Sequence, residues 1–413
     1  MDQLRLITCG NVDDGKSTLL GRLLYDTKSI FEDQLEAVQR ASTQRGDTSL
    51  NLALLTDGLR AEREQGITID VAYRYFATPK RKFILADCPG HFEFTRNMVT
   101  GASNAQLALI LIDVRNGLTE QTHRHAFLTT LLRIKHLVVC VNKMDLVGYS
   151  QEAYEKVCEQ FREYAERLES IDIQFVPISA LHGDNVVAKS ASMPWYEGTP
   201  LLYLLENVYI RNDFNHIDAR FPIQNVLRTG PQDKPDFIGY AGQLASGVLR
   251  PGDEITALPS GSNCRILRLH GPSGELRQAY YPMSVVVELD RELPLHRGDM
   301  LARPNNLPTA ANQFDAILCW LGDSPCGDSR AYLLRQTTNE VDCVIHTVHY
   351  KLNIRTLHRE PSSTPMGMND LARVTIKTNS PLLFDSYRRN RMTGSMILVD
   401  PKSNATIAAG MIL

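Results

Sequence analysis

The sequence of 413 residues lacks the features that mark membrane, secreted and nucleic-acid-coating proteins. No run approaches the roughly 18 apolar residues of a membrane-spanning helix, and the amino terminus has no basic segment followed by an apolar one. The formal net charge is −3, so no general polycationic surface exists for nucleic acid. The eight cysteines show no C-x-x-C spacing. We therefore predict a cytoplasmic protein with free thiols, bound neither to a membrane nor to nucleic acid.

A chain of this length exceeds a single hydrophobic core, so two or three domains are expected. In the first part of the chain, nearly continuous apolar runs alternate with helical patterns, which is typical of parallel strands covered on both faces. This predicts a doubly wound α/β domain over 1–215 with a mostly parallel sheet. Strands are predicted at 4–9, 83–87, 107–113, 138–142 and 173–178, and helices at 18–26, 33–40, 93–103, 120–132 and 152–168.

The pattern changes after residue 218. Helical periodicity fades, and short alternating runs are separated by glycine and proline, as in the segment 239–255. We predict two all-β barrel domains, over 216–305 and 306–413. The one basic cluster, 388–391, has two interpretations: a solvated turn or a contact for a docking partner.

The most specific local pattern lies at residues 10–17. Gly10, four residues, Gly15, Lys16 and Ser17 have the spacing of a phosphate-binding loop (P-loop) between a strand and a helix. Glycines let several backbone N–H groups turn towards a polyphosphate, Lys16 adds a positive charge, and the Ser17 hydroxyl is a Mg²⁺ ligand. The predicted phosphate-site residues are Gly10, Asn11, Val12, Asp13, Asp14, Gly15, Lys16, Ser17 and Thr18.

A second group follows the strand predicted at 83–87. Asp87 ends a buried strand and is expected near Mg²⁺, while the amide of Gly90 is expected near a γ-phosphate. His91 stands where a residue that positions water would be useful. The predicted site residues of this segment are Asp87, Cys88, Pro89, Gly90 and His91.

Two further segments predict recognition of guanine. Asp145, which follows Asn142, Lys143 and Met144 after a strand, can accept hydrogen bonds from both guanine N1 and N2. A site built on that pairing rejects adenine by a factor of about 10⁴ or more. We expect Asn142 to tie this loop to the phosphate loop. After the next strand, Ser179 and Ala180 complete the base site, with the Ala180 amide predicted to donate to guanine O6.

The segment 62–70 contains Thr68, which would complete the Mg²⁺ ligands together with Ser17 and Asp87. A segment of this kind orders with GTP and is released after hydrolysis, which makes a switch. An ordinary surface loop before a strand is the alternative.

Taken together, these motifs resemble those of the translational GTPases, of which elongation factor Tu is the familiar member. The resemblance implies that His91 orients the attacking water, and that Val12 and Ile67 form an apolar gate that holds His91 away until a partner opens it. The catalytic residues that the resemblance implies are therefore His91, Lys16, Val12 and Ile67. Intrinsic hydrolysis is expected to be slow, because positioning does most of the catalytic work. Cys88 departs from the threonine usual at its position.

Nearly the whole chain resembles the GTPase subunits of bacterial sulfate adenylyltransferases, through 11–28, 70–78, 384–400 and 404–412. The resemblance implies GTP and Mg²⁺ as cofactors and a separate catalytic subunit that adenylylates sulfate with ATP. GTP hydrolysis here would drive that uphill reaction. Because the sequence ends at Leu413, a fused adenylyl-sulfate kinase is expected to be absent.

Two alternatives stay open at this point. One is a translation factor that delivers aminoacyl-tRNA. The carboxyl-terminal segments 384–400 and 404–412 and the net charge disfavour this alternative. The other is a nucleotide-binding scaffold without activity. Intact Lys16, Ser17, Thr68, Asp87 and His91 argue against the scaffold.

Overall fold

A computed structural model describes residues 2–30, 32–45, 52–55, 70–91, 95–168, 172–210, 215–229, 237–327, 330–353, 356–361 and 364–413. The chain divides into two compact units, the first formed mainly by residues 1–210 and the second by most of the remainder. Within the described ranges, no helix combines the length and the apolarity needed to cross a membrane. All eight cysteines are buried free thiols.

The first unit is built on a six-stranded sheet in the order β2-β3-β1-β4-β5-β6. Only β2 runs antiparallel to its neighbour, so the predicted mostly parallel sheet is confirmed. The strand β2 has one exposed face and lies at the sheet edge, so no continuous apolar run marks it in the sequence. The strands are β1 Asp2–Cys9, β2 Ala72–Ala77, β3 Arg81–Asp87, β4 Leu107–Asp113, β5 His136–Asn142 and β6 Asp172–Pro177.

Helices connect these strands close to the predicted positions, except for one short helix that was not predicted, α6. Local capping explains where two of them begin: Thr119 and Ser150 each accept a hydrogen bond from a backbone amide three residues later. The helices of this unit are α1 Lys16–Asp26, α2 Glu32–Arg45, α3 Thr95–Ala102, α4 Glu120–Leu131, α5 Gln151–Ala165 and α6 Leu201–Asn207. Short 3-10 helices lie at Leu52–Leu55 and Met144–Val147.

The core of the first unit positions the phosphate loop. One face of α1 buries Leu19, Leu20 and Leu23 against Leu4 and Leu6 of β1 and against side chains of β3 and β4. Strand β4 is buried along its whole length, as a central parallel strand should be. Because β1, β3, β5 and β6 are parallel, the loops after them meet at the same edge of the sheet.

The second unit contains two seven-stranded antiparallel sheets, each closed by an additional pairing, β10 with β11 and β17 with β18. The two predicted β-barrels are therefore confirmed. Their exact boundaries, 216–305 and 306–413, stay predictions. The seven strands of the first barrel are β7 Arg220–Thr229, β8 Phe237–Gln243, β10 Glu254–Leu258, β11 Ser262–Gly271, β12 Gly274–Glu275, β14 Ser284–Leu289 and β15 Met300–Ala302. The short strands β9 Val248–Leu249 and β13 Ala279–Tyr280 pair with each other in a separate two-stranded sheet.

The second barrel has its own core around Trp320 and Tyr332. Its strands are β16 Thr309–Trp320, β17 Ala331–Gln336, β18 Asn339–Leu352, β19 Arg359–Pro361, β20 Leu371–Phe384, β21 Ser395–Val399 and β22 Thr406–Ile412. A one-turn helix, α7 Arg391–Gly394, precedes β21.

A buried polar network joins the two barrels. The guanidinium of Arg220 is fully buried and makes two hydrogen bonds of 2.9 Å to the Asp385 carboxylate. Thr393 donates to the same carboxylate at 2.9 Å. Arg389 forms a second pair with Asp218, and its hydrogen bonds hold the pKa of that carboxyl well below its usual range. Hence Arg389 of the basic cluster makes a contact inside the chain, whereas the sequence offered only a solvated turn or a docking contact.

We expect Arg220→Met to destabilise the second unit by about 3–5 kcal/mol, because the Asp385 carboxylate would stay buried without its cation. Chemical denaturation followed at the transition of this unit would measure the loss. The matched control is Arg335→Met, since Arg335 and its partner Glu340 are both about half exposed. That change should cost at most about 1 kcal/mol. Equal losses of unfolding free energy in the two variants would contradict the claim that burial makes the Arg220–Asp385 pair costly to break.

Candidate functional site

The predicted phosphate loop connects β1 to α1 in a tight turn. Gly15 has a left-handed φ of 93°, and a Cβ there would lie 2.4 Å from the Asn142 amide nitrogen. Only glycine fits both requirements. Asp14 is buried and accepts a hydrogen bond of 2.6 Å from the Asn11 amide, which closes the turn. Asp13 is exposed, and Thr18 is half-buried in the first turn of α1.

Lys16 lies buried inside this loop. Its ammonium donates to the backbone oxygens of Gly10 at 3.2 Å and Asn11 at 2.8 Å, and burial lowers its pKa. The loop after β3 comes so close that a Cβ on Gly90 would lie 2.5 Å from the Lys16 nitrogen. A buried cation whose hydrogen bonds go to neutral carbonyls favours a bound anion, so the loop fits a phosphate group.

Asp87 lies next to the phosphate loop at the end of β3. One carboxylate oxygen accepts a hydrogen bond of 2.7 Å from Thr8, and the other lies 3.5 Å from the Ser17 hydroxyl. A carboxylate and a hydroxyl side by side are oxygen ligands of the kind that Mg²⁺ takes. Thr68, the third predicted ligand, lies outside the described residues. Thr8 was not predicted, because a threonine inside a strand carries no motif.

The four residues after Asp87 differ in their exposure to solvent. Cys88, Pro89 and Gly90 are buried, whereas His91 is exposed. Burial raises the pKa of the Cys88 thiol well above its usual range, so Cys88 is a neutral side chain under the loop. Val12 is half-buried in the phosphate loop. Its predicted gate partner Ile67 lies outside the described residues.

Asn142 connects the phosphate loop to the loops after β5 and β6, which are called the base loops here because the sequence predicts that they recognise guanine. Its amide nitrogen donates 2.7 Å to the backbone oxygen of Asp14, which is the tie that the sequence predicts. Its side-chain oxygen accepts a hydrogen bond of 3.0 Å from the Ala180 amide. That amide therefore already has an acceptor, and its donation to guanine O6 stays a prediction.

Asp145 lies in the short 3-10 helix that follows β5. Its Oδ1 accepts 2.7 Å from the Ser179 hydroxyl, and its side chain is 13% exposed. Each carboxylate oxygen can accept more than one hydrogen bond, so both remain able to accept from a ligand. Lys143 has a left-handed φ of 64° and pairs with Asp113 at 3.0 Å. Met144 is fully buried beneath the loop.

His125 on α4 is a residue that sequence patterns did not reveal. Its Nδ1 accepts a hydrogen bond of 3.1 Å from the Gly10 amide, so the ring anchors the first glycine of the phosphate loop. Burial, together with the nearby charges of Lys16 and Arg124, lowers the pKa of His125 to about 3. The neutral ring is the form that can accept this bond. No short motif marks it, because its partner lies 115 residues away.

The low pKa of His125 makes a pH dependence of stability testable. The unfolded chain takes up this proton below pH about 6.5, whereas the folded protein does so only near pH 3. Stability is therefore lost as the pH falls, by about 2 kcal/mol at pH 5 from this residue alone. His125→Asn keeps an acceptor but cannot titrate.

Denaturation of the first unit at pH 7 and pH 5 should show that the wild type loses about 2 kcal/mol more than His125→Asn. Other titrating groups are common to both proteins and cancel in the comparison. Equal losses would contradict a neutral, buried His125.

Comparison with known families agrees with this geometry. The family model of the elongation factor Tu GTP binding domain matches residues 1–221. A second family model, the GTP-eEF1A C-terminal domain-like family, matches residues 313–413. The S. cerevisiae Ski7 GTPase-like domain, solved with GDP and inorganic phosphate, has a TM-score of 0.54 and 17% identity, covering 100% of this chain and 97% of that one. At that identity the likeness shows the fold alone.

Curated proteins are similar over the whole chain. The sulfate adenylyltransferase subunit 1 of Alteromonas mediterranea is 49% identical over 414 residues, covering 100% of this chain and 87% of that protein. The subunit 1 of Bacteroides fragilis is 49% identical, covering 100% and 86%. The bifunctional enzyme CysN/CysC of Mycobacterium tuberculosis is 54% identical, covering 99% of this chain and 67% of that protein. The chain therefore belongs to the sulfate adenylyltransferase subunit 1 family, whose GTP-binding domain is of the elongation factor Tu type.

Proposed function

We propose that this protein is the GTPase subunit of a sulfate adenylyltransferase, which couples GTP hydrolysis to adenylylation of sulfate by a separate catalytic subunit. The observation that carries the proposal is the 49% identity to subunit 1 proteins across the full chain. The site supports it, since phosphate loop, Asp87 and base loops converge at one sheet edge. The domain boundaries belong to the proposal: a GTP-binding domain over 1–215 and barrels over 216–305 and 306–413.

The phosphate half of GTP would lie on the loop between β1 and α1. The backbone amides at the start of α1 would face the phosphates, and the buried Lys16 ammonium would exchange its two carbonyl acceptors for phosphate oxygens. Its charge is then balanced by an anion, which removes the cost of burying it.

Ser17 and Asp87 would hold Mg²⁺, with Thr68 as the predicted third ligand. The Thr8 hydrogen bond fixes one Asp87 oxygen, so the other stays directed towards Ser17. When bound, Mg²⁺ neutralises charge on the phosphate oxygens.

The base half would lie between the loops after β5 and β6. Asp145, oriented by Ser179, accepts from guanine N1 and N2, while the Lys143 stem lies along the base. Adenine offers no matching pair of donors, so the Asp145 carboxylate would gain no hydrogen bond from it. The hydrogen bond from Asn142 to the Asp14 backbone oxygen fixes the position of this loop relative to the phosphate loop.

Hydrolysis would proceed by attack of water on the γ-phosphorus, with GDP as leaving group. His91 orients that water, and Val12 with Ile67 forms the gate that keeps His91 away until a partner acts. The exposed position of His91 suits a residue that a partner must redirect. Intrinsic hydrolysis is therefore slow, and the partner-bound state is fast.

The partner would be the catalytic subunit that uses ATP and sulfate. Adenylyl sulfate is a mixed anhydride of high energy, so its formation from ATP needs a second exergonic reaction. The relatives' designation as subunit 1 supports a heteromeric assembly. A cytoplasmic location and the absence of nucleic acid or membrane partners stay predictions.

The decisive test measures GTP hydrolysis by the chain alone and with a sulfate adenylyltransferase catalytic subunit, with and without ATP plus sulfate. We expect stimulation that requires all three, together with formation of adenylyl sulfate. His91→Ala should bind GTP nearly as well as the wild type but lower the stimulated rate by about 10²-fold or more.

The matched control is His296→Ala, because the His296 side chain is 81% exposed on the first barrel. It should leave the stimulated rate unchanged. Strong loss of GTP binding in His91→Ala would refute its assigned role. Stimulation by ribosomes, with no response to ATP and sulfate, would favour the translation factor instead.

Base recognition predicts that Asp145→Asn weakens GTP binding by about 10²-fold and gains xanthosine triphosphate binding. The asparagine amide can donate to the xanthine 2-oxygen, whereas a carboxylate cannot. Competition binding with both nucleotides measures the switch. Asp172→Asn, an exposed carboxylate on β6, serves as control. Unchanged preference for GTP would mean that Asp145 does not read the base.

A further inference from the structure

We propose that Arg22 is a specificity-determining positioning residue, which clamps the base loop after β6 onto the helix that begins at the phosphate loop. The inference rests on the proposed GTP binding. Arg22 was not singled out by any sequence motif, and it touches neither the phosphate loop nor Asp145 directly.

The clamp consists of a forked contact. The Arg22 Nε donates 3.3 Å to the backbone oxygen of Ala180, and Nη2 donates to the backbone oxygen of Leu181. The third nitrogen, Nη1, pairs with Asp26 at 3.5 Å, one turn further along α1. The Arg22 side chain is only 17% exposed. A guanidinium always carries its charge and presents several donors in a fixed plane, so two successive carbonyls suit it.

The clamped peptide is held from both sides. The Ala180 amide donates to Asn142, while its oxygen accepts from Arg22. The preceding residue, Ser179, orients Asp145 through a hydrogen bond of 2.7 Å. Arg22 therefore sets the position of the segment on which the base-reading carboxylate depends.

The helix α1 carries both halves of this arrangement. Lys16 and Ser17 stand in its first turn at the proposed phosphate site, and Arg22 stands six residues after Lys16, about 9 Å along the axis. A helix is rigid over that length, so its first turn and the base loop keep a constant separation. Such a fixed spacing fits a guanosine nucleotide bound by its base and its phosphates at once.

Loss of the fork should loosen the base contact more than the phosphate contact. The informative measurement is the affinity for GDP relative to IDP. Inosine differs from guanosine only in lacking the 2-amino group, whose hydrogen bond Asp145 is proposed to accept. We expect Arg22→Met to weaken GDP binding about tenfold and to reduce the preference for GDP over IDP about threefold or more. Arg22→Lys keeps the charge but lacks the forked pair of donors, so its GDP affinity and its preference for GDP should lie between those of the wild type and Arg22→Met.

Two controls separate positioning from general damage. Arg162→Met removes an arginine of α5 that stacks on Phe175 and should change neither affinity nor preference. In an Asp145→Asn background, Arg22→Met should no longer affect the preference for GDP over IDP, because the group it positions is gone. Should Arg22→Met fail to fold, Arg22→Lys carries the test.

The outcomes distinguish this inference from the proposed function. If the wild-type chain binds no guanine nucleotide, the proposed function fails and the inference fails with it. If the wild type prefers GDP and the Arg22 variants keep the same preference, only the inference is overturned. A loss of preference that persists unchanged in the Asp145→Asn background would also overturn it.

Discussion

The site depends on one buried side chain amide, that of Asn142. It donates to the phosphate loop and accepts from the base loop, so three loops that follow different strands share one polar link. Its nitrogen also occupies the space where a Cβ on residue 15 would lie, which makes Gly15 necessary. An amide with both a donor and an acceptor satisfied in the interior is strongly oriented, because leaving either group unpaired is costly. Arg22 adds a second link to the same base loop from the side of α1.

Electrostatics give the phosphate loop its preference for an anion. Lys16 is buried, and the hydrogen bonds of its ammonium go to neutral carbonyls. His125 stays neutral beside it, since burial and the neighbouring positive charges lower its pKa. The neutral ring therefore accepts from the Gly10 amide without adding charge. The carboxylates of Asp14 and Asp87 also act on the Lys16 charge, and a bound phosphate would add anionic acceptors for its ammonium.

In the second unit, a buried ion pair fixes the arrangement of the two barrels. A buried pair of charges contributes little net stability compared with apolar side chains, but breaking it is costly. The hydrogen bonds of Arg220 and Asp385 accept few alternative geometries, so the pair specifies how the barrels join. Arg389 and Asp218 repeat this arrangement nearer the surface.

The sequence by itself determined the fold class and the chemistry of the loops, because apolar runs mark parallel strands and the motifs after them are short and local. It placed Asp87 and Asn142 at strand ends, and the phosphate loop and Asp145 just after strands, where the structure has them. Tertiary structure alone decided the roles of Thr8, His125 and Arg22, whose partners lie 79 to 159 residues away in the chain. It also paired Arg389 with Asp218, 171 residues apart. A polar side chain inside a helix or strand carries no local pattern, so only the folded chain shows which backbone group it meets.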